Sequence, residues 1–107
     1  MPPALATVRQ RGILQRPAMR DYVITRHAAL EMRRRGLDDP VVRAVVESPE
    51  QQIPVRPGRI LLQSRIRMGQ PPRAYLVRVF VDVDREPSEV VTAYRTSKIA
   101  KYWRAQP

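Results

Sequence analysis

Cysteine is absent from this chain, and histidine occurs only once. Without cysteine the chain can form no disulfide and offers no thiolate nucleophile, and the cytoplasm is the compartment we expect, because disulfides mark oxidising environments. One histidine and no cysteine cannot supply the usual ligands of a structural zinc site. We therefore predict neither a metal nor a cofactor.

Long apolar runs are also missing. No stretch approaches the ~18 apolar residues of a membrane-spanning helix. The N-terminal residues do not show a charged region followed by an apolar one, which is the pattern of a secretion signal. We expect no membrane partner.

Acidic residues are scarce relative to basic ones. The chain has 10 Asp and Glu against 20 Lys and Arg, so its net charge is +10, and its pI is about 11.3. Such an excess of cations is the electrostatic signature of a nucleic-acid-binding protein. It would also suit an acidic protein partner. RNA is the partner that we predict.

The 107 residues are enough for one domain with a single core. Residues 1–20 carry four arginines and three prolines but no acid, which predicts a mobile basic arm. Residues 21–107 are predicted to form one α+β domain. Its first helix has Thr25 as its N-cap and runs through Arg35, and Gly36 follows where a helix often ends in a left-handed turn. A second helix has Asp39 as its cap and Pro40 at its first position.

A twofold alternation of apolar and polar residues replaces the helical period after residue 50. It predicts four strands and a terminal helix, over residues 52–56, 60–68, 75–83, 90–95 and 97–104. The predicted fold is therefore two helices, a four-stranded antiparallel sheet and a C-terminal helix, with the helices on one face of the sheet. On the opposite face the alternation places Arg65, Arg67 and Arg78. These arginines either hold a nucleic acid or form a solvated surface.

The junction of the last strand and helix concentrates basic and aromatic side chains. Its candidate residues are Tyr94, Arg95, Thr96, Lys98, Lys101 and Tyr102. A helix start offers free N–H groups and the positive end of the helix dipole, which suit a phosphate. Arg95 and Lys98 are candidates for clamping the phosphate, and the tyrosines for transferring a proton or stacking on a base. The alternative is that the hydroxyls only cap the helix and the rings only pack.

His27 lies in the first turn of the first predicted helix. Cleavage of RNA without metal needs a base, an acid and cations beside the phosphorus. Histidine titrates near neutral pH and can serve as base or acid. His27 is therefore a catalytic candidate, with capping or packing as the alternative role.

Three segments resemble a known family: residues 24–28 (ITRHA), 32–37 (MRRRGL) and 91–99 (VTAYRTSKI). They resemble the DUF4258 family of small bacterial proteins, which is similar to ribonuclease toxins of the RelE-like and BrnT-like fold. The resemblance covers about residues 22 to 104. It implies metal-independent cleavage of RNA and a cleft formed by His27, Arg35, Tyr94, Arg95, Thr96 and Lys98.

These observations predict a toxin-type endoribonuclease. His27, Tyr94, Arg95, Thr96 and Lys98 would be catalytic. Binding of RNA would also involve Arg35, Arg65, Arg67, Arg78, Lys101 and Tyr102. A toxin further implies an acidic antitoxin protein that covers the basic surface. Two alternatives are a nucleic-acid-binding module that does not cleave and an interaction protein for an acidic partner chain.

Overall fold

The computed structural model describes residue 19 and residues 21–105. The predicted basic arm therefore lies outside the described residues, apart from Met19, which packs against the core. Eight elements follow in chain order: β1 Tyr22–Ile24, α1 Arg26–Arg34, α2 Asp39–Glu47, β2 Gln51–Arg56, β3 Arg59–Met68, β4 Arg73–Asp82, β5 Ser88–Thr96 and α3 Ile99–Tyr102.

The strands form one five-stranded sheet in the order β1-β5-β4-β3-β2. The segment from β2 to β5 is the predicted antiparallel meander. The prediction of four strands was wrong, because β1 adds a fifth that pairs parallel to β5, with Tyr22 opposite Ser88 and Ile24 opposite Val90. A strand of three residues is too short to show alternation, and its partner lies more than sixty residues along the chain. The fold class, α+β, is as predicted.

Helices α1 and α2 cover one face of the sheet and form the core with it. Thr25 caps α1 as predicted, because its Oγ1 accepts a hydrogen bond of 3.0 Å from the Ala28 N–H. Asp38, not Asp39, precedes α2 as its N-cap, and Pro40 lies in the first turn. The buried residues of the core come from both helices, the loop between them and three strands: Ala28, Met32, Leu37, Val42, Val45, Val46, Leu62, Val77, Val79, Val81, Val90 and Ala93.

The C-terminal segment lies on the opposite face of the sheet, so the prediction that all helices share one face was wrong. Gln63, which faces away from α1 and α2, donates a hydrogen bond of 3.2 Å to the Tyr102 carbonyl. Gln51 holds the Arg104 backbone through bonds of 2.7 and 3.2 Å. Helix α3 has four residues instead of the predicted eight, because this segment is fixed by buried glutamines and not by a helical face. Within the described part of the chain, no helix has the length and apolar character needed to cross a membrane.

Candidate nucleic-acid site

Strand β1 ends beside Val90 of β5, and from there helix α1 lies along the outer edge of β5. The Thr25 N–H donates to the Val90 carbonyl at 3.1 Å, and α1 then runs on beside β5. At its C-terminal end, the Arg35 guanidinium donates to the Ala93 carbonyl at 2.9 Å and to Thr92 Oγ1 at 3.3 Å. Arg35 also forms an ion pair with Glu31 one turn earlier. These contacts fix the position of Arg35 at the edge of the sheet.

Arg95 approaches the same place from β5. Its Nη2 atom would lie 3.4 Å from a Cβ added to Gly36, which has a φ of +68° and ends α1. Its Nη1 donates to the Met68 sulfur at 3.2 Å, and its guanidinium carbon lies 4.8 Å from the centre of the Tyr75 ring. Among residues 21–105, no carboxylate forms an ion pair with Arg95, so this cation is not neutralised by a described side chain.

A hollow of about 460 Å³ lies between these side chains, lined by Arg35, Tyr94 and Arg95. Its size falls within the range of small-ligand sites. Two arginines that are sixty residues apart in the sequence thus line the same hollow with one tyrosine. Guanidinium groups are well suited to phosphate, because their fixed fork of N–H donors matches two phosphate oxygens.

Tyr94 stands opposite Arg78 of β4, so its side chain lies with that of Arg78 on the face of the sheet away from α1 and α2. Arg78 Nη1 donates to the Tyr94 hydroxyl at 2.6 Å and its Nε donates to Gln63 at 2.9 Å. The Tyr102 ring lies 4.3 Å from the Arg78 guanidinium carbon. Arg78 and Tyr102, both predicted to bind nucleic acid, are therefore engaged with each other and with the sheet. The bond from Arg78 leaves the Tyr94 proton available to another acceptor.

Arg65 and Arg67 lie on the same face as Arg78, as the alternation predicted. Arg65 is paired with Glu50 through bonds of 3.1 and 2.9 Å, and it stacks on Trp103 at 4.0 Å. The hydrogen bonds from Arg65 lower the pKa of Glu50 below its usual value, so the pair stays charged to a more acidic pH than an unpaired glutamate would. Arg67 is exposed. The predicted cluster of cations is therefore reduced, since Glu50 neutralises one member and aromatic rings cover another.

The corner after β5 differs from its predicted form. Thr96 Oγ1 accepts a hydrogen bond of 3.0 Å from the Lys98 N–H, and Lys98 itself is the N-cap, without a side-chain cap. Four residues align too few peptide groups for a strong helix dipole. Lys98 and Lys101 are exposed, and Lys101 lies 5.3 Å from the Tyr102 ring. The predicted phosphate site at this helix start is therefore not supported by a well-formed helix.

His27 is exposed near the start of α1. It is not among the described residues that line the hollow. Arg35 lies eight positions further on, which corresponds to about 12 Å along a helix axis. The structure thus places His27 on the helix that borders the hollow but nearer the other end of that helix.

The register of the strands separates charge along the sheet. Residues 65–81 and 90–105 contain no acid, and the pairing of β3, β4 and β5 places much of these segments at one end. We call this the basic end. It carries Arg67, Arg73, Arg78, Arg95, Lys98, Lys101 and Arg104, and also Arg65, whose charge Glu50 balances. The opposite end holds Asp82, Asp84 and Glu89, which contact Arg59 and Arg85. The hollow lies at the basic end.

Tyr75 and Met68 are neighbours of Arg95 that sequence reasoning missed. The alternation shows which residues of a strand share a face, but it does not show which residues of the next strand lie beside them. The observed register pairs Val77 with Arg95 and Ile66 with Tyr75, and this register brings the three side chains together. Within residues 21–105, no three His, Asp or Glu side chains converge as metal ligands would.

The sequence profile of one protein family matches residues 24–95, well over half of the chain. The chain belongs to the DUF4258 family. DUF4258 is described as a domain of unknown function, so membership supplies no activity. The matched segment begins one residue before the cap of α1 and ends at Arg95. It thus includes His27 and the three residues that line the hollow, whereas Thr96, Lys98, Lys101 and Tyr102 lie beyond it. No curated protein and no solved structure matches the chain.

Proposed function

We propose that this DUF4258 protein is a metal-independent endoribonuclease of toxin type, which binds an RNA phosphate in the hollow at the basic end. The observation that carries the proposal is the convergence of Arg35, Tyr94 and Arg95 on that hollow. The resemblance of the sequence to RelE-like and BrnT-like toxins points to the same chemistry. The net charge of +10 favours a polyanion as substrate.

The reaction would be an intramolecular displacement at phosphorus. The 2′-oxygen of the RNA forms a bond to phosphorus, and the bond from phosphorus to the 5′-oxygen breaks. A base takes the 2′-hydroxyl proton, and an acid donates a proton to the departing 5′-oxygen, leaving a 2′,3′-cyclic phosphate and a 5′-hydroxyl. Arg35 and Arg95 would stabilise the negative charge on the phosphate oxygens. Tyr94, which lines the hollow, would transfer one proton, and His27 would transfer the other if the RNA strand extends along α1.

The test is cleavage of a generic single-stranded RNA by the full chain in excess EDTA. Arg95→Met should slow cleavage by about 10²- to 10³-fold, the usual effect of removing one donor to a transition-state charge. Arg56→Met is the matched control, because Arg56 is exposed and lies at the opposite end of the sheet from the hollow. His27→Ala and Tyr94→Phe identify the proton carriers. Loss of cleavage in EDTA, or equal rates for the two arginine variants, would reject the proposal.

A second candidate function is a module that binds RNA without cleaving it. The position of His27 outside the described lining of the hollow favours this alternative. A folded protein that retains RNA at low salt but produces no cyclic phosphate would establish it. An interaction protein for an acidic partner chain would instead retain no RNA at low salt. If the protein is a toxin, its antitoxin should be acidic, because a partner that covers the basic end must complement its charge.

A further inference from the structure

Tyr75 lies beside the hollow and is flanked by two cations. It is half-buried in β4, opposite Ile66 of β3, on the face that carries α1 and α2. The Arg95 guanidinium carbon lies 4.8 Å from the ring centre and that of Arg73 lies 5.7 Å from it. The Tyr75 ring is thus an aromatic surface at the basic end, and the guanidinium groups of Arg73 and Arg95 both lie close to it.

Arg95 connects this ring to the hollow. The Arg95 side chain lines the hollow, and its guanidinium carbon lies over the Tyr75 ring, 4.8 Å from the ring centre. A nucleotide whose phosphate meets Arg35 and Arg95 therefore has an aromatic ring and a planar guanidinium within reach of its base. Bases stack on tyrosine rings and on arginine planes, but only when they are not paired in a duplex.

We propose that Tyr75 and Arg95 form a stacking site for one unpaired base, next to the phosphate in the hollow. The inference rests on the proposed function and defines its substrate as single-stranded RNA. Arg73 borders the site and contributes a second cation to the stack. The hydroxyl of Tyr75 is not required for stacking, whereas the ring is.

The test compares a short single-stranded RNA with the same sequence in a duplex. Tyr75→Leu should weaken binding of the single strand by about 5- to 150-fold, the range for loss of one base–aromatic stack, and should leave duplex binding unchanged. Tyr75→Phe keeps the ring and should bind both RNAs as the unsubstituted protein does. A role of Tyr75 only in orienting Arg95 would instead lower both affinities equally, and this outcome would overturn the inference.

Two further measurements separate the failure of this inference from the failure of the proposed function. A fluorescent adenine analogue in the single strand should be quenched when the unsubstituted protein binds, and absence of quenching at every position would overturn the stacking site without any variant. The double variant R35M/R95M should weaken binding of both the single strand and the duplex. If the double variant weakens binding while Tyr75→Leu changes the affinity for neither RNA, the stacking site is rejected and the phosphate site remains. If the double variant changes the affinity for neither RNA, the hollow is rejected as the phosphate site.

Discussion

At the scale of single residues, Asp82 is a buried carboxylate at the end of β4 opposite the basic end. Arg59, its cross-strand partner, donates to it from Nε at 2.5 Å and from Nη2 at 3.1 Å. Hydrogen bonding by Arg59 lowers the pKa of Asp82 below its usual value. A carboxylate whose pKa is lowered by folding stabilises the folded state above its unfolded pKa, and that stability is lost as the pH falls through the folded pKa.

Asp82→Asn tests this linkage. The variant should lose about 1.5–3 kcal/mol of unfolding free energy at neutral pH, because it replaces a hydrogen-bonded charge. The difference from the unsubstituted protein should stay constant down to about pH 4, the usual pKa of aspartate, and should shrink at lower pH. Urea denaturation across this range measures it. A difference that grows on acidification would contradict the assigned role.

Individual residues differ in how well the sequence predicted them. The Thr25 cap and the left-handed Gly36 follow from local rules, since each depends on residues within one helical turn, and both were confirmed. The surroundings of Arg95 were not predictable. They join Gly36, Met68 and Tyr75, which are far apart in the sequence and meet only through the register of the sheet.

At the scale of elements, α3 shows how a short helix can be held by buried polar groups. Gln63 donates to Gln51 Oε1 at 2.7 Å, and Gln51 in turn holds the Arg104 backbone. Both glutamines are buried, with exposures of 5% and 0% for Gln51 and Gln63. Their side chains replace the sheet and helix bonds that the C-terminal segment lacks. Sequence patterns predicted a longer helix because they record propensity and not these long-range bonds.

Gln51→Leu should release the C-terminal segment. The substitution removes both hydrogen bonds between the Gln51 side chain and the Arg104 backbone. If their loss costs about 1.4 kcal/mol, the hydrogen of the Arg104 amide should exchange with solvent roughly tenfold faster. Gln52→Leu is the matched control, because Gln52 is exposed on the other face of the same strand. Hydrogen exchange measured by NMR compares the two variants. Equal protection of Arg104 in both would show that the glutamine does not hold the segment.

At the scale of the whole molecule, charge is distributed unequally between the two ends of the sheet. Cations at the basic end attract a polyanion, while paired acids and arginines occupy the opposite end. Composition predicted the excess of positive charge but not its placement, because placement depends on which strand ends lie together. An RNA strand should therefore approach the molecule from one end.

The salt dependence of RNA binding tests whether RNA binds at the basic end. R67Q/K101Q removes two exposed cations of the basic end, and it should flatten the plot of log affinity against log salt by about 1.4, since each phosphate contact to a single strand contributes about 0.7. R56Q/R85Q removes the same charge from the opposite end of the sheet and should leave the slope unchanged. Equal slopes for the two double variants would show that only net charge matters.

The edges of the sheet have a consequence for the behaviour of the protein in a crowded solution. Strands rich in valine can template pairing between copies when an edge is long and open. Here β1 is only three residues long, Arg35 occupies the Ala93 carbonyl where β1 ends, and Pro54 interrupts the N–H groups of β2. Both borders of the described sheet are thus poor templates for a foreign strand, and we expect the valine-rich sheet to resist pairing between copies.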